Sequence, residues 1–125
     1  MKSVLVIDDE QELRGILKKI LEREGYSVAT AAEGQEALKV IKKRRFDLIL
    51  TDLKMPGMGA VQMLEEVERL DPAVKVLVVP GYPLEPTIQQ KVQEGRYQYL
   101  SKPFDIRLLV EKIRQMVAGA GPHES

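Results

Sequence analysis

A chain of 125 residues suffices for one domain with one core, and 44% apolar with 30% charged residues excludes disordered, collagen-like and coiled-coil classes. Lysine plus arginine and aspartate plus glutamate number 19 each, a net charge of zero that argues against direct nucleic-acid contact. Cysteine is absent, which excludes disulfides, thiolate metal sites and cysteine nucleophiles, and His123 alone is a poor basis for zinc.

The first apolar run, Val4 to Ile7, meets Asp8-Asp9-Glu10 too soon for a signal peptide. No apolar run approaches the ~18–20 residues that span a bilayer, so a cytoplasmic protein without membrane contact is expected. Further almost unbroken apolar runs follow at Val28 to Ala32, Leu48 to Leu50 and Val76 to Val79, with a weaker fifth at Tyr97 to Leu100. Continuous apolarity is what a strand buried on both faces requires. Between the runs lie helical patterns. Leu13, Ile16, Leu17, Ile20 and Leu21 mark the first, closed by Gly25 as a left-handed cap. Ala37, Leu38 and Ile41 mark the second, and Val61, Leu64 and Val67 the third. The fourth, Thr87 to Glu94, has only Ile88 and Val92 as anchors and is expected to be short, exposed and mobile. Ile106, Leu109, Ile113 and Met116 or Val117 mark the fifth, with Asp105 as its N-cap.

Strand and helix alternate five times. Right-handed crossovers then predict an α/β fold: a doubly wound, five-stranded parallel sheet in a three-layer, flavodoxin-like sandwich with strand order 2-1-3-4-5. This topology puts a crevice at the carboxyl ends of strands 1 and 3. Residues 118–125 lack periodicity and read as a linker or disordered tail, in which His123 has no assigned role.

Three strand ends carry chemistry. Asp8 and Asp9 follow strand 1 and Asp52 follows strand 3, and adjacent strands lie ~4.8 Å apart, so three carboxylates converge. Either one stays protonated or a cation joins them. All-oxygen ligands with an open side suit magnesium. Strand 5 ends at Ser101-Lys102-Pro103, which brings an ammonium group to the same edge. Acids, a divalent cation and a lysine suit transfer of a phosphoryl group to a carboxylate, with Asp52 as acceptor and Asp8 and Asp9 as metal holders. Met55-Pro56-Gly57 would turn the chain away and leave room above Asp52.

As a spaced set, Val6-Ile7-Asp8-Asp9-Glu10, Asp47 through Met58, and Gly95 through Phe104 resemble the receiver domain of two-component response regulators, over essentially residues 2–117, which implies one receiver domain at 1–117. The resemblance implies a signalling domain, not an enzyme. It implies phosphorylation of Asp52 by a histidine kinase or phosphotransfer protein, and an output domain or protein that the sequence does not name. It implies magnesium held by Asp9, Asp52 and the backbone carbonyl of Lys54, with Asp8 acting through water. Lys102 would pair with the phosphoryl oxygens, the Lys102-Pro103 bond would be cis, and Tyr99 would be the aromatic that changes rotamer on activation. Homodimerisation through helix 4, strand 5 and helix 5 is a further expectation from the family.

One departure matters most. Where the family carries serine or threonine at the end of strand 4, this chain has Pro80, which offers neither hydroxyl nor N–H. The N–H of Gly81 is the remaining candidate for a phosphoryl contact there. Phosphorylation and its coupling to Tyr99 can therefore be separated, and a degenerate receiver that binds partners without phosphorylation is the competing reading. Gly59-Ala60 replaces the usual Asp-Gly before helix 3, Arg96 replaces a small residue, and Pro83 and Pro86 stiffen the loop before helix 4, leaving that helix free to start late. An aspartyl phosphatase would need a second aspartate two residues after Asp52, where Lys54 stands. Lys42-Lys43-Arg44-Arg45 reads as a solvated helix end that favours the dipole. Met55, Met58 and Met63 read as packing residues, and Tyr26 as a rim residue.

Overall fold

The computed structural model describes residues 1–54, 57–81 and 83–118. The expected turn residues Met55 and Pro56, and His123 in the tail, lie outside the described residues. Ten elements alternate: β1 Ser3–Ile7, α1 Gln11–Arg23, β2 Ser27–Ala31, α2 Gly34–Lys43, β3 Leu48–Thr51, α3 Ala60–Leu70, β4 Lys75–Val78, α4 Pro86–Gln93, β5 Tyr97–Tyr99 and α5 Ile106–Ala118. The strands form one parallel sheet in the order β2-β1-β3-β4-β5, with Val6 level with Thr30 and Leu50, and Leu50 level with Leu77. The expected α/β architecture and strand order are both observed.

The unbroken apolarity of the strands has a direct cause in the two layers of helices. Leu5, Ile7, Ile49, Val76 and Val78 pack toward α2, α3 and α4, against Leu38, Met63, Leu64, Val67 and Ile88. Val4, Val6, Leu48, Leu50 and Leu77 point the other way, against Leu17 and Leu21 of α1 and Leu109 and Ile113 of α5. Each such side chain contributes ~1.5–3 kcal/mol by leaving water.

Helix ends follow local chemistry. Gly25 adopts φ 97° after α1, and the N–H of Tyr26 returns to the Leu21 carbonyl at 3.1 Å, closing the helix as the sequence pattern suggests. Asp105 caps α5 by accepting the Arg107 N–H at 2.8 Å. Gly59 opens α3 without a side-chain cap. Helix α4 begins at Pro86, one residue before the position read from the sequence, because proline is suited to a first helical turn where its missing N–H is not needed. It is short and mostly exposed as expected, with Ile88 its buried anchor.

Ile16 departs from expectation. It is 50% exposed, because at 3.6 residues per turn it stands roughly 120° around α1 from the buried pair Leu17 and Leu21. The third helix buries Ala60, Met63, Leu64 and Val67, while Val61 is only half-buried.

A polar knot ties α4 to the sheet. Glu68 of α3 accepts hydrogen bonds from Lys91 of α4 at 3.1 and 3.2 Å, from Arg96 at 2.9 Å, and from the phenol of buried Tyr97 in β5. Burial alone would raise the Glu68 pKa, but the bonds from Tyr97 and Lys91 and the charges of Lys91 and Arg96 outweigh it and hold the carboxyl below its ordinary value. Burial first, and Glu68 second, push the Tyr97 phenol well above its ordinary value. A depressed folded-state pKa contributes stability that is present above the unfolded-state value and lost as pH falls through the folded one. Glu68→Ala is therefore expected to cost about 1–3 kcal/mol in urea unfolding at neutral pH. The difference from wild type should shrink as pH falls through the depressed folded-state value, where the carboxylate loses its charge and with it these contacts.

Candidate functional site

The parallel ladder runs one residue past β1 and β3. The Asp8 N–H donates to the Ala31 carbonyl at 3.1 Å, and the Asp52 N–H to the Ile7 carbonyl at 2.9 Å. Both aspartates are thereby fixed by the backbone at neighbouring strand ends, with Asp8 fully buried and Asp52 nearly so. Asp9, the next residue, is exposed at the rim. One carboxylate oxygen from each of the three lies within 4.8 Å of the others, as the convergence of strand ends requires.

The oxygens of each buried carboxylate are divided between two kinds of donor. Asp8 Oδ1 accepts the Glu10 N–H at 2.9 Å, and Asp52 Oδ1 accepts the N–H groups of Leu53 and Lys54 at 2.7 and 3.3 Å. The second oxygens face Lys102, whose Nζ lies 3.0 Å from Asp8 Oδ2 and 3.2 Å from Asp52 Oδ2. Burial lowers the lysine pKa, but the hydrogen bonds and charges of Asp8 and Asp52 more than reverse this and raise it above the ordinary value. Lys102 is therefore a fixed positive charge between two negative ones.

Lys102 reaches this position because pairing with strand β4 continues beyond Tyr99. The Leu100 N–H donates to the Val78 carbonyl at 3.0 Å, and the Lys102 N–H to the Pro80 carbonyl at 2.8 Å. The Lys102-Pro103 bond is cis. Pro80 is buried, and its carbonyl thus serves the backbone of Lys102. Gly81 lies on the wall of a crevice of about 390 Å³ shared with Asp9, Glu10, Asp52, Lys54 and Lys102. Lys54 contributes its N–H to Asp52, and its side chain is exposed. Tyr99 points outward, 46% exposed, away from the crevice lining.

Two participants were not singled out from the sequence. The Arg14 guanidinium donates to the Asp8 carbonyl at 2.8 Å, bracing the loop that carries Asp9. Nothing in the sequence separates it from other arginines on exposed helix faces. Glu10 Oε1 stands 3.8 Å from Lys102 Nζ, a third acid around one cation. Its place beside Asp8-Asp9 was the available signal. The carboxylate set is hard, oxygen-only and open on one side, so its chemistry fits magnesium, with Asp8, Asp9 and Asp52 as the residues able to hold it.

A family model for the response regulator receiver domain matches residues 4–114. The chain belongs to this family. The receiver is 31% identical to sporulation initiation phosphotransferase F of Bacillus subtilis, over 91% of this chain and 92% of that protein. It is 35% identical to the transcriptional regulatory protein ZraR of Escherichia coli O157:H7 over 93% of this chain, and it spans about a quarter of that regulator's length, 26%. Among solved structures, a CheY-like receiver domain protein from Methanospirillum hungatei superposes with a TM-score of 0.88 at 34% identity, covering 96% of both chains. Response regulator TrrA from Thermotoga maritima, solved in complex with Mg(2+)-BeF, superposes at 0.78 with 31% identity, covering 93% of this receiver and 99% of that chain. Among the described residues, no helix is long and apolar enough to cross a membrane.

Removing the Lys102 ammonium group leaves two buried carboxyl groups facing each other. Lys102→Met is expected to lower stability by about 1–3 kcal/mol in urea unfolding. Combining it with Asp8→Asn should restore part of that loss, a non-additivity that reports the shared contact.

Proposed function

We propose that Asp52 accepts a phosphoryl group from a histidine kinase or a histidine-containing phosphotransfer protein, in a magnesium-dependent reaction that changes the affinity of the receiver for an output partner. The observation that carries this reading is the packing of Asp8, Asp9 and Asp52 within 4.8 Å, with Lys102 bonded to the two buried members. Family membership and the TrrA complex with Mg(2+)-BeF support it.

Asp9, Asp52 and the Lys54 carbonyl would hold magnesium, with Asp8 acting through water. The ion would supply charge neutralisation for the transferring phosphoryl oxygens. The chain's own groups do the rest. Asp52 Oδ1 is occupied by the Leu53 and Lys54 amides, so Oδ2 is the oxygen presented for bond formation. As the Oδ2–P bond forms, the P–N bond to the donor imidazole breaks, and its electron pair stays on the nitrogen. Lys102 would move from Asp52 Oδ2 to a phosphoryl oxygen, exchanging one anion for another at little cost in charge. The Gly81 N–H would contact a second phosphoryl oxygen from the crevice wall. Incubation with acetyl phosphate and magnesium should add one phosphoryl mass by intact mass spectrometry. The gain should vanish in Asp52→Asn and on chelation of magnesium; an equal gain in Asp52→Asn would overturn the assignment.

Pro80 favours a second reading for the output step, in which partners bind without phosphorylation. It has no hydroxyl to follow the phosphoryl group, and its carbonyl is already bonded to the Lys102 N–H. Tyr99 and the face formed by α4, β5 and α5 are the surface on which we place partner binding or self-association. Amide NMR with and without beryllofluoride separates the readings. Phosphorylation-dependent output predicts perturbation from Asp52 through Tyr99. Phosphorylation-independent output predicts that perturbation stops at the crevice and reaches Tyr99 only after Pro80→Thr.

A further inference from the structure

The edge of the sheet opposite Asp52 carries a second hollow. Between the C-terminal ends of α2 and α3 lies a half-open cavity of about 330 Å³, floored by Phe46, Ile49 and Val67 and flanked by Leu70 and Val74. It continues into a neighbouring hollow of about 230 Å³ at the starts of β1 and β4, the two sharing Arg45, Phe46, Asp71 and Val74. Leu70 is 38% exposed beside this floor, so apolar surface remains open to solvent there.

The rim is strongly one-signed. Lys2, Lys42, Lys43, Arg44, Arg45 and Lys75 line the joined hollows against only Asp47 and Asp71, on a chain whose net charge is zero. Both acids are engaged already. Asp47 Oδ2 accepts the Ser3 N–H at 2.8 Å, and Asp71 Oδ1 accepts the Ala73 N–H at 3.2 Å. Lys42 and Lys43 form no ion pair among the described residues, and the Arg45 side chain is 87% exposed with Asp71 3.9 Å away. The basic run read from the sequence as a solvated helix end therefore surrounds an apolar floor.

We infer that this groove is a docking site for an acidic peptide segment of a partner protein, one that seats an apolar side chain in the hollow and sets carboxylates against the basic rim. Charge complementarity selects an acidic occupant, and the partly exposed apolar side chains of Ile41, Leu70 and Val74 select an apolar side chain over a bare polyanion. A nucleic acid fits less well. Phe46, the aromatic in the floor, is buried, and the Arg44 guanidinium already covers its ring at 4.6 Å from the centroid, so no face is left for base stacking. The groove lies at the far edge of the sheet from the crevice and acts independently of it. Its occupancy should be the same in wild type and Asp52→Asn, so this inference and the phosphoacceptor reading fail separately.

The test uses three fluorescein-labelled probes at about 0.1 M ionic strength: a peptide alternating glutamates with single leucine and phenylalanine residues, an all-glutamate peptide of equal charge, and a single-stranded oligonucleotide. The apolar acidic peptide should bind about tenfold or more tightly than either control. Its amide shift changes should map to residues 41–46 and 67–75. Lys43→Glu and Leu70→Ser, both exposed and confirmed folded by circular dichroism, should each weaken it several-fold, whereas Asp52→Asn should not. Equal binding of the all-glutamate peptide would reduce the site to a charge effect and overturn the inference. Tighter binding of the oligonucleotide, or shift changes centred on the Asp52 crevice, would overturn it too.

Discussion

The contact on which the functional edge depends is the ammonium of Lys102 between Asp8 and Asp52. Two carboxylates at adjacent strand ends, both almost wholly out of water, repel each other at a range where the protein interior screens poorly. One lysine, delivered from the far end of the chain by continued pairing of residues 100 and 102 with β4, offsets that repulsion at 3.0 and 3.2 Å. The acids are thus kept together, with Asp52 on the wall of an open crevice. A weaker clamp would let them splay, and a fully enclosed one would leave no room for a ligand.

The same clamp orders the two buried acids. Main-chain amides hold one oxygen of each buried carboxylate and so fix its orientation, while the other oxygen meets the Lys102 ammonium. Pro80 sits at the hinge of this arrangement. Its carbonyl positions the backbone of Lys102, but it brings no side-chain hydroxyl to the crevice.

At the other end of α4, Glu68 gathers Lys91, Arg96 and Tyr97 into one knot. The last turn of α4 is therefore held to α3 and β5, whereas its first turn has no side-chain cap. Beyond the knot, one edge of the sheet gathers Asp8, Asp9 and Asp52, and the opposite edge gathers Lys42, Lys43, Arg44 and Arg45. The zero net charge conceals these two local clusters.

Much of the fold was legible because burial on both faces leaves an unmistakable trace. Runs such as Val4 to Ile7 and Leu48 to Leu50 have no polar residue because neither face of the sheet meets water. Asp8, Asp9, Asp52 and Lys102 were legible for a related reason: once the strand order is known, residues just past the strands share one edge. By itself the sequence determined the alternation of elements, the order of the strands and the identity of the convergent charges. Only the tertiary structure decided that Ile16 faces solvent, that Arg14 braces Asp8, that Glu68 binds groups 23 and 29 residues away, and that the Lys42 to Arg45 run encircles an apolar hollow. Periodicity reports which face of an element is buried, whereas a contact between two exposed rims depends on how elements are packed against each other, and that relation leaves no pattern in either segment alone.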